Sequence, residues 1–233
     1  FIEDPGEAPQ WMARQHHDYQ REGSPVGYYA PGLEPLTDRG NTMILSHKNV
    51  RNPAICDKPL LDDSIIEVNW EGEVIWEWVC SEHFGELGFR EDARNLLFRN
   101  PNWLKSGGGA GDWMHINSMS LLGPNRWFDA GDRRFHPDNI IWCARESNIT
   151  AIVDKQTGRI VNNESSEIMR MLGTAFDQLG AIAGDYYPEA LRDEIDALNA
   201  HIYDAINNGV YRAGFATTQD AYAEAIGPLF AAL

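Results

Sequence analysis

Alternating apolar and polar positions mark residues 64–78 as the clearest β-structure in this chain of 233 residues. A period of two puts alternate side chains on one face of a strand, and Glu71-Gly72 supplies a turn, so the segment predicts a β-hairpin. Its apolar positions are Ile66, Val68, Trp70, Val74, Trp76 and Trp78. Weaker patterns predict further strands at 41–47, 113–122 and 139–161.

A long irregular stretch, about residues 80–111, separates the predicted hairpin from the later strands, and a short helix is predicted inside it near 90–98. Short, Trp-rich antiparallel strands joined by long loops are typical of a sandwich, a barrel or a propeller. The first part of the chain is therefore expected to be mainly β.

After Val161 the apolar period changes from two to 3.6, which predicts helices. Three helices are expected because capping residues divide the segment into three. These residues are Asn162, Asn163 or Ser165 for the first helix, Pro188 and Asn208-Gly209 for the second, and Thr217 or Thr218 for the third. The C-terminal part is therefore expected to be all-α.

Composition changes at the same place as the period. All eight Trp and all three Cys precede Asp154, whereas no Trp, Cys or Lys follows Val161. The last 72 residues contain 14 Ala, and the first 161 contain 9. Because a change this sharp marks a domain boundary, we predict two parts, residues 1–161 and 162–233.

The net charge of −16 and the pI of about 4.7 argue against nucleic-acid binding, which needs clustered Lys and Arg. No run of about 18 apolar residues is present, so no membrane span is expected. The three Cys show no metal-binding spacing and are expected to be buried, reduced thiols, with one disulfide and a free thiol as the alternative. The loop with Asp129, Asp132 and Asp138 matches no fixed calcium-ligand spacing, so we predict no metal site.

The motifs of the first part follow a recognisable order. They are QHHD at 15–18, GNTMILSH at 40–47, EVNWEGEVIWEW at 67–78, GDWMHINS at 111–118 and NIIWCARESNITAIVDKQTGRIV at 139–161. In this order they resemble the arylsulfotransferases over about residues 1–161. The resemblance implies a β-propeller enzyme without a cofactor, which moves a sulfuryl group between small phenols through a sulfated histidine. We expect an incomplete antiparallel propeller of about three blades here.

By this resemblance, His17 (rather than His16), His115 and Arg145 would be catalytic residues that line a central funnel. The residue types suit the chemistry. Imidazole serves as a nucleophile or proton shuttle near neutral pH. Guanidinium matches a planar array of anionic oxygens, such as those of a sulfate ester.

Structural interpretations of the same residues stay open. His115 lies among apolar residues and is consistent with a core histidine. Residues 16–18 could form a solvated loop, and Arg145 could pair with Glu146 on an edge strand. His47 ends a predicted strand and is expected to be structural.

One feature departs from the family pattern. The histidine that becomes sulfated belongs to a Gln-His-type motif beyond the strands that end in TGRIV. No such motif follows Val161, and His201 lies in a helix-like segment. We therefore expect the sulfated histidine and the later blades to be missing.

The second part resembles the glutathionyl-hydroquinone reductases, the Xi-class glutathione transferases, over about residues 154–233. The strings that carry this resemblance are TGRIVNNESSEIMRML, DYYPEALRDEIDALN and IYDAINNGVYRAGFATTQDAYAEA. It implies the end of a thioredoxin-like domain, the start of a helical domain, and glutathione as a ligand. The reductase cysteine belongs to a Cys-Pro-Trp-type motif, which the surroundings of Cys56, Cys80 and Cys143 do not match.

Three residues of the second part correspond to glutathione-site residues in this resemblance. Glu164 and Ser165 match a Glu-Ser pair that holds the γ-glutamyl end of glutathione at a helix N-terminus, where backbone N–H groups suit a carboxylate. Tyr211 matches a tyrosine near the reacting sulfur, and we count it among the candidate catalytic residues. The structural alternatives are that Glu164 and Ser165 only cap the helix, and that Tyr211 is an aromatic residue where a helix meets a loop.

The two resemblances meet in DKQTGRIV, residues 154–161, which suggests a chimera of two truncated enzymes; a natural fusion with retained function is the alternative. Three functions are therefore carried forward: sulfuryl transfer, glutathione-dependent quinone reduction, and no catalysis. For the assignment to a family, sulfuryl transfer ranks first. For the activity of this particular chain, the absence of catalysis ranks first. The first family implies the periplasm or the exterior and the second the cytoplasm, so the compartment stays open.

Overall fold

The computed structural model describes residues 2–3, 11–12, 14–23, 36–101, 111–182, 184–214 and 216–233. The chain divides into two compact units, residues 1–183 and 184–233. The described strands all lie in the first unit: β1 (Ile2–Glu3), β2 (Trp11–Met12), β3 (Gln15–Arg21), β4 (Thr42–Val50), β5 (Leu60–Val68), β6 (Val74–Val79), β7 (Gly111–Asp112), β8 (Ile116–Leu121), β9 (Ile140–Ala144), β10 (Ile149–Val153) and β11 (Ile160–Asn162).

Helices are present in both units. The first unit contains α1 (Glu91–Arg99), α2 (Arg126–Asp129) and α3 (Ser165–Ala175), with 3-10 turns at Cys80–His83, Arg133–Phe135 and Asp177–Leu179. The second contains α4 (Arg192–Ile202), α5 (Asn208–Gly214) and α6 (Gln219–Ala231), with a 3-10 turn at Glu189–Leu191 and a π turn at Tyr203–Asn207. None of the described helices combines the length and the apolar character that crossing a bilayer requires.

The strands form two main antiparallel sheets. The first has the order β3-β4-β5-β6, and the short strand β7 joins the start of β5 in parallel. The second has the order β11-β10-β9-β8, and β1 pairs with β2 separately. The predicted mainly β first part and helical C-terminal part are therefore confirmed. The described strands do not close into a barrel or a ring of blades, and the propeller stays a prediction.

The predicted hairpin at 64–78 forms between β5 and β6. Ile66 lies opposite Glu77 and Ile65 opposite Trp78, so Ile66 and Trp78 face opposite sides of the sheet, which corrects the single apolar face predicted for the two strands. Its turn is longer than Glu71-Gly72. The side chain of Asn69 accepts a hydrogen bond from the backbone N–H of Glu73, and Gly72 has a φ of +89°. Because the turn begins at residue 69, Trp70 lies outside the strand and is 52% exposed, which corrects its predicted place on the apolar face.

Two indole N–H groups bind the DKQTGRIV turn to the first sheet. Trp76 donates to the carbonyl of Lys155 at 3.1 Å, and Trp78 donates to that of Gly158 at 2.9 Å. Lys155 Nζ also lies 2.8 Å from a carboxylate oxygen of Glu67. The segment at which the composition changes is therefore packed against the first sheet.

Helix α3 belongs to the first unit because its apolar face is buried on the second sheet. Ile168 is 1% exposed and packs with Leu122, Phe135 and Ile152. The composition changes at residues 154–161, whereas the compact units separate after residue 183. Helix α3, which follows the change in composition, thus packs as part of the first compact unit.

The second predicted helix is longer than expected. Instead of ending at Asn208-Gly209, the chain continues from α4 through the π turn into α5. The third helix begins as predicted, since Thr218 Oγ1 accepts a hydrogen bond from the N–H of Ala221. A π turn absorbs one extra residue without breaking the helical path.

The described cysteines are free thiols, but they are not all buried. Cys56 and Cys80 are buried, and burial raises the pKa of Cys80 well above its usual range. Cys143 is exposed, because successive residues of β9 face opposite sides and its neighbour Trp142 occupies the core side.

We expect Trp78→Phe to lower the free energy of unfolding by about 2 kcal/mol, because the carbonyl of Gly158 loses its donor and a cavity opens beside Trp142. Chemical denaturation followed by circular dichroism measures this difference. Trp70→Phe is the matched control and should change it by less than about 1 kcal/mol, since Trp70 is half exposed and contacts the guanidinium of Arg21 at 5.3 Å. Equal losses in the two variants would contradict the assigned role of Trp78.

Candidate functional site

Four histidines from three segments form one cluster in the first unit. The rings of His16 and His47 stack with their centroids 3.6 Å apart. The rings of His17 and His115 meet edge to face at 4.9 Å, and His16 lies 6.2 Å from His115. The structure therefore brings together the predicted site residues His17 and His115 and adds His16 and His47.

Local backbone irregularity places two of these rings. Gln15 pairs with Ser46 and Tyr19 with Ile44, so β3 carries extra residues in a bulge around His17. His17 has a φ of +52° and His115 a φ of +53°. Left-handed backbone at a non-glycine residue costs on the order of 1–3 kcal/mol and concentrates at functional sites. The two histidines with left-handed backbone also meet ring edge to ring face.

The strand β3 joins the two sheets through side chains. Asp18 accepts a hydrogen bond from the backbone N–H of Met119 at 2.9 Å, and Gln20 accepts one from Leu121 at 2.9 Å. Residues 16–18 are therefore part of a strand that bonds to β8, which corrects the alternative of a solvated loop.

Asp63, in β5, lies at the base of the cluster and is fully buried. Its Oδ1 is 3.2 Å from His16 Nε2 and 3.6 Å from His47 Nε2, and its Oδ2 accepts a hydrogen bond from the N–H of Ile116 at 3.0 Å. Burial raises the pKa of Asp63, against the opposing effect of its hydrogen bonds. One carboxylate thus contacts β3, β4 and the start of β8.

The neighbouring Asp62 is also fully buried, on the opposite side of the strand. It accepts hydrogen bonds from the backbone N–H of Ser81 at 2.9 Å and from Trp113 Nε1 at 2.8 Å. Burial raises its pKa to about 6. Asp62 therefore fixes the turn after β6 and the segment that leads to His115.

Two histidines of the cluster are held in the neutral form. Burial, followed by the charges of His16 and His115, lowers the pKa of His47 to about 3. Burial also lowers the pKa of His17, with further contributions from His115, His16 and Arg145. A neutral imidazole keeps a lone pair, which is the form that attacks an electrophile, accepts a proton or binds a metal ion.

His115 is oriented from both sides. Its Nδ1 lies 2.5 Å from Oδ2 of Asp112, and its carbonyl accepts a hydrogen bond from the N–H of Arg145 at 3.0 Å. Its side chain is 13% exposed. A carboxylate on Nδ1 fixes the tautomer of an imidazole, so this ring has a defined orientation within the cluster.

Arg145 lies beside the cluster, with its side chain 55% exposed. Its Nε and Nη2 donate to Oε1 of Glu146 at 3.0 and 2.5 Å. The pairing with Glu146 left open as an alternative is therefore present, and the positive charge of Arg145 also contributes to the lowered pKa of His17. An anion that binds Arg145 has to compete with Glu146.

The residues assigned to a glutathione site lie elsewhere. Glu164 caps α3, and its Oε1 accepts hydrogen bonds from the N–H of Ser166 at 3.1 Å and from its hydroxyl at 2.8 Å. Ser165 Oγ accepts a hydrogen bond from the N–H of Thr150 at 3.3 Å. Tyr211 is in α5 of the second unit and is 53% exposed.

Sequence reasoning overlooked the roles of His47, Asp63 and Asp112 in this cluster and ranked His16 below His17. One signal was available. Asp62 and Asp63 lie between the apolar pairs Leu60-Leu61 and Ile65-Ile66 of β5, and adjacent carboxylates in a central strand require buried partners.

Different families match different portions of the chain. Residues 35–161, more than half of the chain, match the sequence model of a family described as "Arylsulfotransferase (ASST)". The matched range contains His47, Asp63, His115 and Arg145, whereas His16 and His17 precede it.

The chain is also similar to glutathionyl-hydroquinone reductases. It is 60% identical over 126 residues to PcpF of Sphingobium chlorophenolicum, covering 48% of this chain and 40% of the relative. It is 59% identical over 85 residues to YqjG of Escherichia coli K12, covering 36% and 26%. The chain therefore spans about a quarter to two-fifths of these relatives.

Two solved structures give similar coverage. The glutathione-bound structure of YqjG from Escherichia coli K-12 is 60% identical, with a TM-score of 0.34 over 35% of this chain and 27% of that one. Glutathione transferase Xi 1 from Trametes versicolor is 59% identical, with a TM-score of 0.33 over 35% and 29%.

We expect Asp62→Ala to lower the free energy of unfolding by about 3 kcal/mol, because the buried donors of Ser81 and Trp113 would both lose their acceptor. Thermal or chemical unfolding of the purified chain measures the loss. Asp38→Ala is the control: Asp38 is 76% exposed and pairs with Arg39, so its loss should be within about 0.5 kcal/mol. A change at Asp62 no larger than that at Asp38 would contradict this account.

Proposed function

The chain belongs to the arylsulfotransferase family through residues 35–161, and on this premise we propose that its histidine cluster binds an aryl sulfate and passes the sulfuryl group to a phenol. One observation carries the proposal: the rings of His17 and His115 meet with their centroids 4.9 Å apart, both residues have left-handed backbone, and the backbone N–H of Arg145 donates to the carbonyl of His115. Backbone strain at two neighbouring histidines is consistent with a site that needs their rings in fixed positions.

The proposed reaction exchanges one phenol for another. The oxygen of the acceptor phenol forms a bond to sulfur as the bond between sulfur and the donor oxygen breaks. His17 takes the proton of the acceptor and returns it to the departing phenolate, so that atoms and charge balance. His17 suits this role because it is the exposed member of the cluster and its lowered pKa favours the neutral imidazole.

Arg145 and His115 would hold the sulfonate during the exchange. A guanidinium donates two parallel hydrogen bonds to oxygens of the group, which a partly exposed side chain can do after releasing Glu146. His115 would contact the same sulfonate with a ring held by Asp112. The donor would therefore bind at the open side of the cluster, next to His17.

The direct test is a transfer assay with phenyl sulfate as donor and a second phenol as acceptor. Formation of the new aryl sulfate, lost in His17→Ala, would support the proposal. Binding of phenyl sulfate without turnover would instead favour the third hypothesis, a non-catalytic anion site. A chain that neither binds nor turns over phenyl sulfate would contradict the proposal.

We expect Arg145→Ala to weaken phenyl sulfate binding by about 2–3 kcal/mol, on the order of 30- to 150-fold in Kd, because a charge-assisted bidentate contact is lost. Arg145→Lys should recover only part, since an ammonium group cannot reproduce the planar fork. Isothermal titration measures both. Arg159→Ala is the control, because Arg159 is 74% exposed on the β10–β11 turn and should leave Kd unchanged. Equal Kd values for Arg145→Ala and the parent chain would exclude Arg145 from the site.

A second candidate function rests on a separate observation, the 59–60% identity to two glutathionyl-hydroquinone reductases. We propose that Glu164 and Ser165 bind the γ-glutamyl end of glutathione at the start of α3. The carboxylate of Glu164 suits the ammonium group, and the helix N-terminus suits the carboxylate of the ligand.

This candidate is separated from simple capping by one substitution of Glu164 and a control substitution in the same helix. Glu164→Asn keeps a good N-cap but removes the charge, so it should preserve the melting temperature and lower glutathione affinity at least about tenfold. Glu167→Gln is the control in the same helical turn, where Glu167 accepts a hydrogen bond from Asn162. Titration calorimetry with reduced glutathione gives the affinities. If Glu164→Asn binds glutathione as the parent does, or if the parent does not bind it, Glu164 only caps α3.

A further inference from the structure

The geometry at the base of the cluster points to a second ligand: we propose that His16, His47 and Asp63 bind a divalent transition-metal ion of the zinc type. The proposal goes beyond sulfuryl transfer, since neither family resemblance nor the residue spacing predicted a metal here. One ligand atom from each of the three residues lies within 4.8 Å of the other two. The three residues come from β3, β4 and β5, three adjacent strands of one sheet.

The distances fit a tetrahedral ion. Asp63 Oδ1 is 3.2 Å from His16 Nε2 and 3.6 Å from His47 Nε2. Donors at about 2.0–2.1 Å from a tetrahedral metal are separated from one another by about 3.3–3.4 Å. The observed separations bracket that value, so one ion could contact all three atoms with small adjustments of side chains.

The same three atoms are buried without hydrogen bonds to any described group. They are His16 Nε2, His47 Nε2 and Asp63 Oδ1. Asp63 is fully buried, and the two imidazoles are 11% and 16% exposed. Both imidazole nitrogens approach the same carboxylate oxygen at ion-pair distance, yet no hydrogen bond of good geometry joins the three atoms, so a partner shared by all three would satisfy them. A cation supplies one for all three at once and also compensates the buried carboxylate.

The surroundings orient these ligands in the way that metal sites require. Asp63 Oδ2 accepts the N–H of Ile116 at 3.0 Å, and His16 Nδ1 lies 3.1 Å from Nδ1 of His17. Contacts on the far side of a ligand fix its orientation and tautomer. They leave Nε2 of His16 and Oδ1 of Asp63 directed at the shared point.

A neighbouring group of His47, Asp112 and His115 is a weaker alternative. His115 Nδ1 already lies 2.5 Å from Asp112, so the contact that would bind an ion is used within the group. Two imidazoles and one carboxylate form the ligand set of catalytic zinc sites, and a fourth tetrahedral position then remains for an oxygen ligand. Water or a sulfonate oxygen could occupy this fourth position. The exposed ring of His17 lies next to His16, so solvent and a ligand bound at His17 would both be close to the ion.

The test uses the full chain, stripped with a chelator and titrated with Zn²⁺, and then with Co²⁺ as a spectroscopic probe. We expect one equivalent of Zn²⁺ per chain, and for Co²⁺ the visible absorption of a four-coordinate ion. His47→Gln should lower Zn²⁺ affinity at least about tenfold and abolish that absorption. His201→Gln, on the exposed surface of α4, is the control and should change neither.

Each result decides the proposal. Less than one equivalent of Zn²⁺ in the parent chain, or equal affinity in the parent and His47→Gln, would overturn it, and the short contacts would then be a proton-mediated ion pair. If His47→Gln does not fold, His16→Gln takes its place, and the absorption of the Co²⁺-loaded parent chain decides on its own. Arg145→Ala should retain the metal while losing phenyl sulfate, so failure of the metal site and failure of the sulfate site are distinguishable.

Discussion

Two adjacent buried carboxylates, Asp62 and Asp63 of β5, constrain the whole first unit. Both are fully buried, and a buried carboxylate left without donors costs several kcal/mol. Successive residues of a strand face opposite sides, so the two carboxylates need two separate sets of partners. Asp62 takes the donors of Ser81 and Trp113, and Asp63 takes the N–H of Ile116 and the contacts of the histidines. The chain after β6 and the start of the second sheet are thereby held to the first sheet.

The candidate site is formed by the same contacts that join the sheets. The bulge in β3 turns His17 toward His115, and Asp18 in that bulge bonds to β8. Left-handed backbone at both histidines is tolerated because these contacts over-determine their positions. The site therefore combines a buried carboxylate at its base, an exposed His17 and rings in fixed positions.

The chain combines segments similar to two families, and the described structure shows no domain boundary where one segment gives way to the other. The segment DKQTGRIV is held by the indoles of Trp76 and Trp78, and α3, which follows it, buries Ile168 on the second sheet. An amphipathic helix needs only an apolar surface of suitable shape, so a helix of one lineage can cover a sheet of the other. This explains why the compact units separate after residue 183, beyond the change in composition.

The sequence by itself determined the local elements and the family. Alternation placed the β5–β6 hairpin, the period of 3.6 placed α3, and ordered motifs identified the arylsulfotransferase part, because these signals depend on neighbours along the chain. Tertiary structure alone decided which distant side chains meet. His47 was expected to be structural, yet it stacks on His16 beside Asp63, since pairing of β3, β4 and β5 sets that contact. Strand register and burial are properties of the packed sheets, and no window of sequence contains them.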